Sequence, residues 1–211
     1  KIIQIKIWYL LVFLSNIILF MKSYNYITIL FAFILSTGSF SQEIKWISLE
    51  DAVYLQEAAP RNIIIDMYTN WCGPCKLLDR NTFANKDVAK YINDNFYAVK
   101  FNAEGNDIVN FKGYTFENPN YDPARSNRRN SSHQLSQAFR IQAFPTIVFL
   151  DKSSNLLHKL RGYKTPKQLE VYLKLFTDEN YKKYQSQEDF NRFFESFVYE
   201  FDSRWYLTIL L

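Results

Sequence analysis

The stretch NWCGPCKLL, Asn70–Leu78, holds both cysteines of the 211-residue chain, Cys72 and Cys75, with a Gly-Pro dipeptide between them. The run NIIIDMYT at 62–69 comes just before the pair, and helix-like sequence follows from about Cys75. A nearly continuous isoleucine-rich run is typical of a central strand buried on both faces of a sheet. The pair is therefore expected where a buried strand gives way to a helix.

A Cys-x-x-Cys pair has three main uses: redox catalysis, half of a metal site, or a structural disulfide. A zinc site usually needs four ligands, and only His133 and His158 remain as candidates, without a second CxxC or HxxxH spacing. A structural disulfide here closes too small a loop to constrain much of the unfolded chain. Lys76, not histidine, follows Cys75, so the motif is not a haem attachment. Redox catalysis remains, and a CxxC beside a βαβ pattern favours it.

Strand-like and helix-like segments alternate along the chain from residue 43 to residue 176. Ser48, Asn85 and Thr165 stand where helix N-caps are expected. The predicted strands are 43–47, 62–69, 96–102, 146–151 and 155–163, and the predicted helices are 48–59, the segment from about 75, 86–94, 131–140 and 165–176. This order predicts an α/β fold with a mixed sheet and helices on both faces.

Two segments interrupt this alternation. Residues 105–130 are rich in Asn, Pro, Gly and Arg without a clear period, which predicts a long surface excursion. Beyond Phe176, phenylalanines at helical spacing predict a C-terminal helical extension, 177–211: Phe190, Phe193, Phe194, Phe197 and Phe201. That helix either binds a partner or docks on its own domain, and we favour docking because such apolar stripes usually bury themselves.

The segment from Met21 to Ser41 predicts a signal peptide. One basic residue, Lys22, precedes the apolar stretch 27–35, and small residues follow it. Cleavage near Ser41 leaves a mature chain that starts at Gln42 and is periplasmic or secreted.

Residues 1–20 are also apolar and permit two interpretations. We favour an upstream extension that is not part of the native protein. The alternative is that residues 2–35 are retained as a membrane anchor, because 2–20 approaches the length of one membrane span. Only in that case do we expect contact with a membrane.

The net charge of +4 comes mainly from the N-terminal part of the chain, where Lys1, Lys6 and Lys22 are the only charged residues before Glu43. The rest carries 22 basic and 21 acidic residues. A nearly neutral globular part offers no electrostatic footprint for nucleic acid.

The motif WCGPCK at 71–76 is identical to the active-site motif of the thioredoxin superfamily, and the chain resembles that family over roughly residues 44–176. Four more features match in family order: Asp66 in the buried strand, Lys100 in the next strand, AFPT at Ala143–Thr146, and Gly162 after the last strand. The overall pattern also resembles exported thioredoxin-like proteins of Bacteroidetes-type bacteria.

The resemblance implies a thioredoxin-like fold with a central mixed β-sheet flanked by helices. The domain is expected to span 42–176, with a long insertion at 105–130 before the cis-proline loop and the C-terminal helical extension after it. Compared with a minimal family member, the insertion lengthens the segment before Pro145 by roughly 25 residues.

The resemblance also implies a catalytic set. Cys72 attacks a substrate disulfide from a helix start, where free amides favour thiolate over thiol. Cys75, one turn on and more buried, resolves the mixed disulfide. Asp66 accepts the proton of the resolving cysteine through water, and Lys100 moderates the charge of Asp66, whose pKa burial should raise. The alternative for these two residues is a structural ion pair.

Supporting and substrate-binding roles are implied for Trp71, Gly73, Pro74, Lys76, Phe144, Pro145 and Thr146. Trp71 is expected to cover one side of the sulfurs, Gly73 to allow close approach, and Pro74 to stiffen the turn. The Phe144–Pro145 bond is expected to be cis, with its loop offering backbone atoms to an extended substrate. The alternative is an ordinary trans turn at Pro145.

The sequence therefore predicts an exported thiol–disulfide oxidoreductase that works through a Cys72–Cys75 dithiol–disulfide cycle without metal or other cofactor. We favour a reductase, because the Gly-Pro pair resembles that of reducing family members. The expected partners are disulfide-containing exported proteins and a membrane or thioredoxin-like electron donor. The alternatives are a disulfide oxidase or isomerase on the same fold, or a protein-binding or chaperone module in which the cysteines are incidental.

Overall fold

The computed structural model of the protein describes residues 43–177, 180–184 and 186–201. The predicted signal peptide and the extension at 1–20 lie outside these residues. The elements are β1 (Trp46–Ile47), α1 (Leu49–Ala58), β2 (Asn62–Tyr68), α2 (Gly73–Leu78), α3 (Lys86–Asn95), β3 (Phe96–Asn102), β4 (Val109–Phe111), β5 (Tyr114–Phe116), α4 (Gln134–Ala138), β6 (Thr146–Leu150), β7 (Leu156–Arg161), α5 (Pro166–Thr177) and α6 (Gln187–Glu195). A π-helical turn, Asp79–Phe83, continues α2. In these ranges no helix combines the length and apolarity needed to cross a membrane.

Five strands form a mixed sheet in the order β1-β3-β2-β6-β7. The first three run parallel, and β6 and β7 are each antiparallel to their neighbours. In the register of the central strand β2, Asp66 is opposite Lys100 on β3 and Ile147 on β6. The mixed sheet predicted from the sequence is confirmed, and its register puts Asp66 next to Lys100.

Helices cover both faces of the sheet, as predicted. On one face, Ile64 and Phe149 pack against buried residues of α3 and α5. On the other face, Ile63 and Ile65 pack against buried residues of α1 and α4. Because successive side chains of a strand point to opposite faces, a strand with both faces buried needs an unbroken apolar run. Asp66 is a charged residue in the middle of that apolar run.

The predicted helix caps are present. The side chain of Ser48 accepts a hydrogen bond from the Asp51 amide, and that of Asn85 accepts from two amides of α3. Thr165 and Gln168 exchange reciprocal side-chain to backbone bonds, which is a capping box. The helix after the cysteine motif begins at Gly73, not near Cys75. Proline is tolerated in the first turn of a helix, where its missing N–H has no helical partner.

The segment 105–130 is more ordered than the predicted surface excursion. It contains the two-stranded β4–β5 sheet, and Val109 and Phe111 are buried in the core. The two-residue turn is Lys112–Gly113, and both residues have positive φ, 52° and 78°. A hairpin turn of this kind usually carries Asn or Asp first. The sequence did not predict the hairpin because lysine occupies the first turn position and each strand has only three residues.

The C-terminal segment docks on its own domain, as the favoured interpretation predicts, but its helix α6 ends at Glu195, so Phe197 and Phe201 lie beyond the helix that their spacing predicted. Phe201 is buried in the core cluster that contains α5. The carboxylate of Glu170, on α5, accepts hydrogen bonds from the backbone amides of Glu200 at 2.7 Å and Phe201 at 3.1 Å. Lys174 pairs with both Glu170 and Glu200.

Candidate active site

Cys72 and Cys75 form a disulfide at the start of α2, with their Cα atoms 5.3 Å apart. Cys72 is the N-cap residue, and its Sγ accepts a hydrogen bond from the Cys75 amide at 3.1 Å. An amide donor in this position also favours the thiolate once the disulfide is reduced. The chain thus passes from strand β2 to helix α2 at the cysteine pair.

The two cysteines are equally buried, each 2% exposed. The expectation that Cys75 is the more buried residue is therefore wrong for this oxidised form. What separates them is the direction of access, because Cys72 lines a cavity of about 510 Å³ and Cys75 does not. The other walls of the cavity come from Trp71, Gly73, Pro74, Glu104, Arg129 and the loop Gln142–Phe144.

The loop opposite the cysteines contains a cis peptide bond between Phe144 and Pro145. The Pro145 carbonyl accepts a hydrogen bond from the Gly162 amide at 2.8 Å. Gly162 has a φ of +77°, a conformation that glycine adopts without strain. The ring of Phe144 meets that of Trp71 edge-on, with centroids 6.1 Å apart. The loop and the cysteine turn thus form facing walls of one cavity.

Gly73 lines the cavity, whereas two other residues predicted to support the site, Lys76 and Thr146, do not. A Cβ at Gly73 would meet nothing within 4 Å, so close packing within the chain does not require glycine there. Lys76 is exposed and does not line the cavity. Thr146 is buried, and its hydroxyl donates to the Ala143 carbonyl at 2.7 Å, so it supports the loop without lining the cavity.

Asp66 and Lys100 meet in the middle of the sheet. Lys100 Nζ is 3.0 Å from Asp66 Oδ2, and Asp66 is 1% exposed. Burial raises the pKa of Asp66 to about 6, against the opposing charge and hydrogen bond of Lys100. Asp66 Oδ1 has no hydrogen-bond partner among the described residues. A carboxyl of this kind exchanges its proton near neutral pH.

Lys100 is shared with a second carboxylate, that of Asp79, which bonds the same ammonium. Burial of the ammonium opposes its charge, but Asp66 and Asp79 outweigh it and raise the pKa of Lys100. Its Nζ also lies 5.0 to 5.8 Å from the ring centroids of Trp46, Tyr68 and Phe83. Carboxylates and aromatic faces therefore hold Lys100 as a fixed cation.

Sequence reasoning missed three residues around the site: Asp79, Glu104 and Arg129. Asp79 follows Cys75 by four residues, one helical turn, so its spacing was a usable signal. Arg129 had no such signal, because its place depends on the path of the 26-residue segment 105–130, which has no period, and no pattern marked Glu104, just before that segment. Glu104 Oε2 accepts hydrogen bonds from Trp71 Nε1 at 2.7 Å and from the Asn130 amide at 2.8 Å.

The two histidines considered as metal ligands lie in separate places. His133 is buried, caps α4, and its Nε2 is 2.7 Å from the Asp107 carbonyl oxygen. His158 stacks on Tyr172. Within 43–177, 180–184 and 186–201, no three His, Cys, Asp or Glu side chains cluster in a way that could hold a metal ion.

Replacing Asp79 by asparagine is expected to lower the pKa of Asp66 below its value of about 6. The change removes a negative charge that raises this pKa and leaves the Lys100 ammonium to Asp66 alone. A ¹³C NMR titration of the Asp66 side chain in the oxidised protein should then show its midpoint at lower pH.

The matched control is Asp94→Asn, which removes the same charge from an exposed pair with Lys90. Its titration should follow that of the parent protein. A midpoint that stays put or rises in the Asp79 variant contradicts the assigned coupling.

A family model described as a thioredoxin-like domain matches residues 49–177. Among curated proteins, the chain is 25% identical over 124 residues to the thiol:disulfide interchange protein DsbD of Colwellia psychrerythraea. That match covers 59% of this chain but only 17% of DsbD. Over 125 residues it is 22% identical to the thiol-disulfide oxidoreductase ResA of Bacillus thuringiensis subsp. konkukian, covering 59% of this chain and 69% of ResA.

The chain is also similar to proteins of known structure. A thioredoxin-fold protein from Helicobacter pylori aligns with a TM-score of 0.51 at 22% identity, covering 65% of this chain and 81% of that one. A candidate disulphide isomerase from Bacteroides thetaiotaomicron aligns with a TM-score of 0.45 at 24% identity, covering 65% and 96%. At 22% identity, the similarity to the Helicobacter pylori protein supports the fold alone.

Proposed function

The chain belongs to the thioredoxin-like domain family, and on this basis we propose that it is a thiol–disulfide oxidoreductase that reduces disulfides in exported proteins. One observation carries the proposal: a Cys72–Cys75 disulfide stands at a helix start, and Cys72 lines a cavity beside the Phe144–Pro145 loop. The names of two relatives, a thiol:disulfide interchange protein and a thiol-disulfide oxidoreductase, support the reaction class.

The proposed cycle begins with both cysteines reduced. The Cys72 thiolate attacks one sulfur of a substrate disulfide, and the other substrate sulfur leaves as a thiolate that takes a proton. Cys75 then loses its proton and attacks Cys72, which closes the disulfide and releases the second substrate thiol. Two electrons and two protons pass to the substrate. A dithiol donor protein must return the same number to the enzyme before the next turnover.

Asp66 and Lys100 are proposed to handle the proton of the second step. With a pKa of about 6, Asp66 is largely ionised at neutral pH and can accept a proton. Lys100, held by Asp79 and the surrounding rings, stabilises the ionised form of Asp66 inside the sheet. No cofactor beyond the cysteine pair enters this scheme.

The direction and the compartment are parts of the proposal. The Gly-Pro dipeptide favours reduction, and the signal-peptide pattern at 21–41 favours an exported location. Disulfide-containing exported proteins are then the substrates, and a membrane or thioredoxin-like protein is the electron donor. An oxidase or isomerase on the same fold is the second candidate, because the Cys72–Cys75 disulfide is also the form an oxidant uses.

The test is a redox titration of the purified protein in glutathione buffers, together with an insulin-reduction assay. We expect a reduction potential closer to about −270 mV, the thioredoxin value, than to about −120 mV, the value for DsbA. The reduced protein should precipitate insulin chains at a rate proportional to its concentration. A potential near that of DsbA, with refolding of a scrambled protein but no insulin reduction, would favour the oxidase or isomerase.

A further inference from the structure

Arg129, in the segment 118–130, contributes to one wall of the active-site cavity, and two hydrogen bonds join this segment to residues around the site. Asn70 Nδ2 donates to the Ser126 carbonyl at 2.9 Å. Glu104 Oε2 accepts from both Trp71 Nε1 and the Asn130 amide, so one carboxylate oxygen joins the cysteine turn to this segment. Glu104 is nearly buried, at 9% exposed, and its bond to Trp71 places the indole beside the segment. We therefore treat Arg129, the residue of this segment that lines the cavity, as part of the site.

Arg129 carries the positive charge of this wall. Its guanidinium carbon is 5.1 Å from the ring centroid of Trp71, and its side chain lines the cavity that Cys72 also lines. Glu104 is the other charged residue of the lining, and two N–H donors already occupy its Oε2. Arg129 is exposed and, within the described part of the chain, has no carboxylate at ion-pair distance. Its guanidinium N–H groups are therefore available to an incoming group.

We propose that Arg129 makes this cavity prefer substrates with an acidic residue next to the reactive cysteine. The inference rests on the proposed thiol–disulfide exchange and names the peptide class that the same site takes. A cysteine that reaches Cys72 must enter between Trp71, the Gln142–Phe144 loop and Arg129. A carboxylate beside that cysteine then lies within reach of a planar donor that suits carboxylates geometrically.

The expected size of the preference for the acidic peptide follows from the solvent exposure of Arg129. A solvent-exposed ion pair typically changes an equilibrium or rate by about twofold to fivefold, and salt screens it. Arg129 contacts the indole face of Trp71, which limits the number of conformations that it must lose on binding. We therefore expect the upper part of this range at low ionic strength, about fivefold.

The experiment compares three synthetic peptides that share one intramolecular disulfide and differ only in the residue after the reactive cysteine: Glu, Gln or Lys. The reduced full-length protein is mixed with each peptide, and the second-order rate constant is determined from the disulfide content of the peptide and protein, measured by mass spectrometry at successive times. The Glu peptide should react about fivefold faster than the Gln peptide, and the Lys peptide more slowly than both. The ratio should shrink towards one at 1 M salt.

Two variants assign the effect to a residue. Arg129→Gln should bring the Glu-to-Gln ratio to about one, and Arg129→Glu should reverse the order so that the Lys peptide reacts fastest. Arg128→Gln is the matched control, because it removes an equal charge from an exposed neighbour that does not line the cavity, and it should keep the parent ratio.

The outcomes separate this inference from the proposed function. If no peptide is reduced, the proposed oxidoreductase activity fails. If all three are reduced at equal rates, the activity stands and the preference is overturned. A preference that survives in Arg129→Gln, or that disappears equally in Arg128→Gln, also overturns the role of Arg129.

Discussion

Changing Cys72 to serine is expected to lower kcat/KM for disulfide reduction by at least about a thousandfold. A serine hydroxyl is not ionised near neutral pH and cannot form a disulfide with the substrate, so the first covalent step is lost. Cys72 is also the cysteine that lines the cavity. The measurement is the insulin-reduction rate with each variant reduced in the same way beforehand.

Cys75→Ser is the matched control, because it removes the same disulfide and leaves the attacking sulfur in place. Its turnover should also stop, but only after a covalent adduct forms with the substrate. Intact-mass spectrometry should find this adduct with Cys75→Ser and none with Cys72→Ser. If Cys72→Ser kept its turnover, the cysteines would be incidental and the protein-binding alternative would replace the enzyme.

Changing Phe149 to alanine is expected to lower the free energy of unfolding by about 3–5 kcal/mol. Phe149 is fully buried on β6, with its ring 4.8 Å from that of Phe176 and 6.1 Å from that of Phe96, measured between centroids. Alanine leaves a cavity between the sheet and α5 that the strand cannot collapse to fill. Urea unfolding of the oxidised protein should give a lower midpoint with an unchanged m-value.

Ile108→Ala serves as the control, because its side chain is 65% exposed. It should change the free energy of unfolding by less than about 0.5 kcal/mol. Equal losses in the two variants would show that the Phe149 side of the sheet is not the packed core described above.

The sequence predicted the central sheet well because both faces of each inner strand must be apolar, and such runs are visible without a structure. It predicted the Asp66–Lys100 pair because the resemblance supplied both residues, and the register of β2 and β3 brings them together. Local chemistry also predicted the caps at Ser48 and Asn85. These features depend on neighbours in sequence or on one strand pairing.

The remainder depends on contacts that no local pattern encodes. Arg129 reaches Trp71 across 57 intervening residues through a segment without period, so its place in the cavity required the folded chain. The equal burial of Cys72 and Cys75 likewise follows from walls supplied by distant segments. Helical spacing from Cys75 could have predicted the position of Asp79, but not its ion pair with Lys100, which is on strand β3.

The buried carboxylate of Glu170 shows that the C-terminal boundary of the folded domain lies beyond the end of the family match. The family model matches only as far as residue 177, yet the Glu170 carboxylate inside the matched range accepts hydrogen bonds from the backbone amides of Glu200 and Phe201. A shorter chain that ends at Thr177 would keep the Glu170 side chain but lose the two backbone amides that donate to it. It would also expose the apolar surface that Phe201 covers. We therefore expect the unit that unfolds cooperatively to extend beyond the matched range, to Phe201.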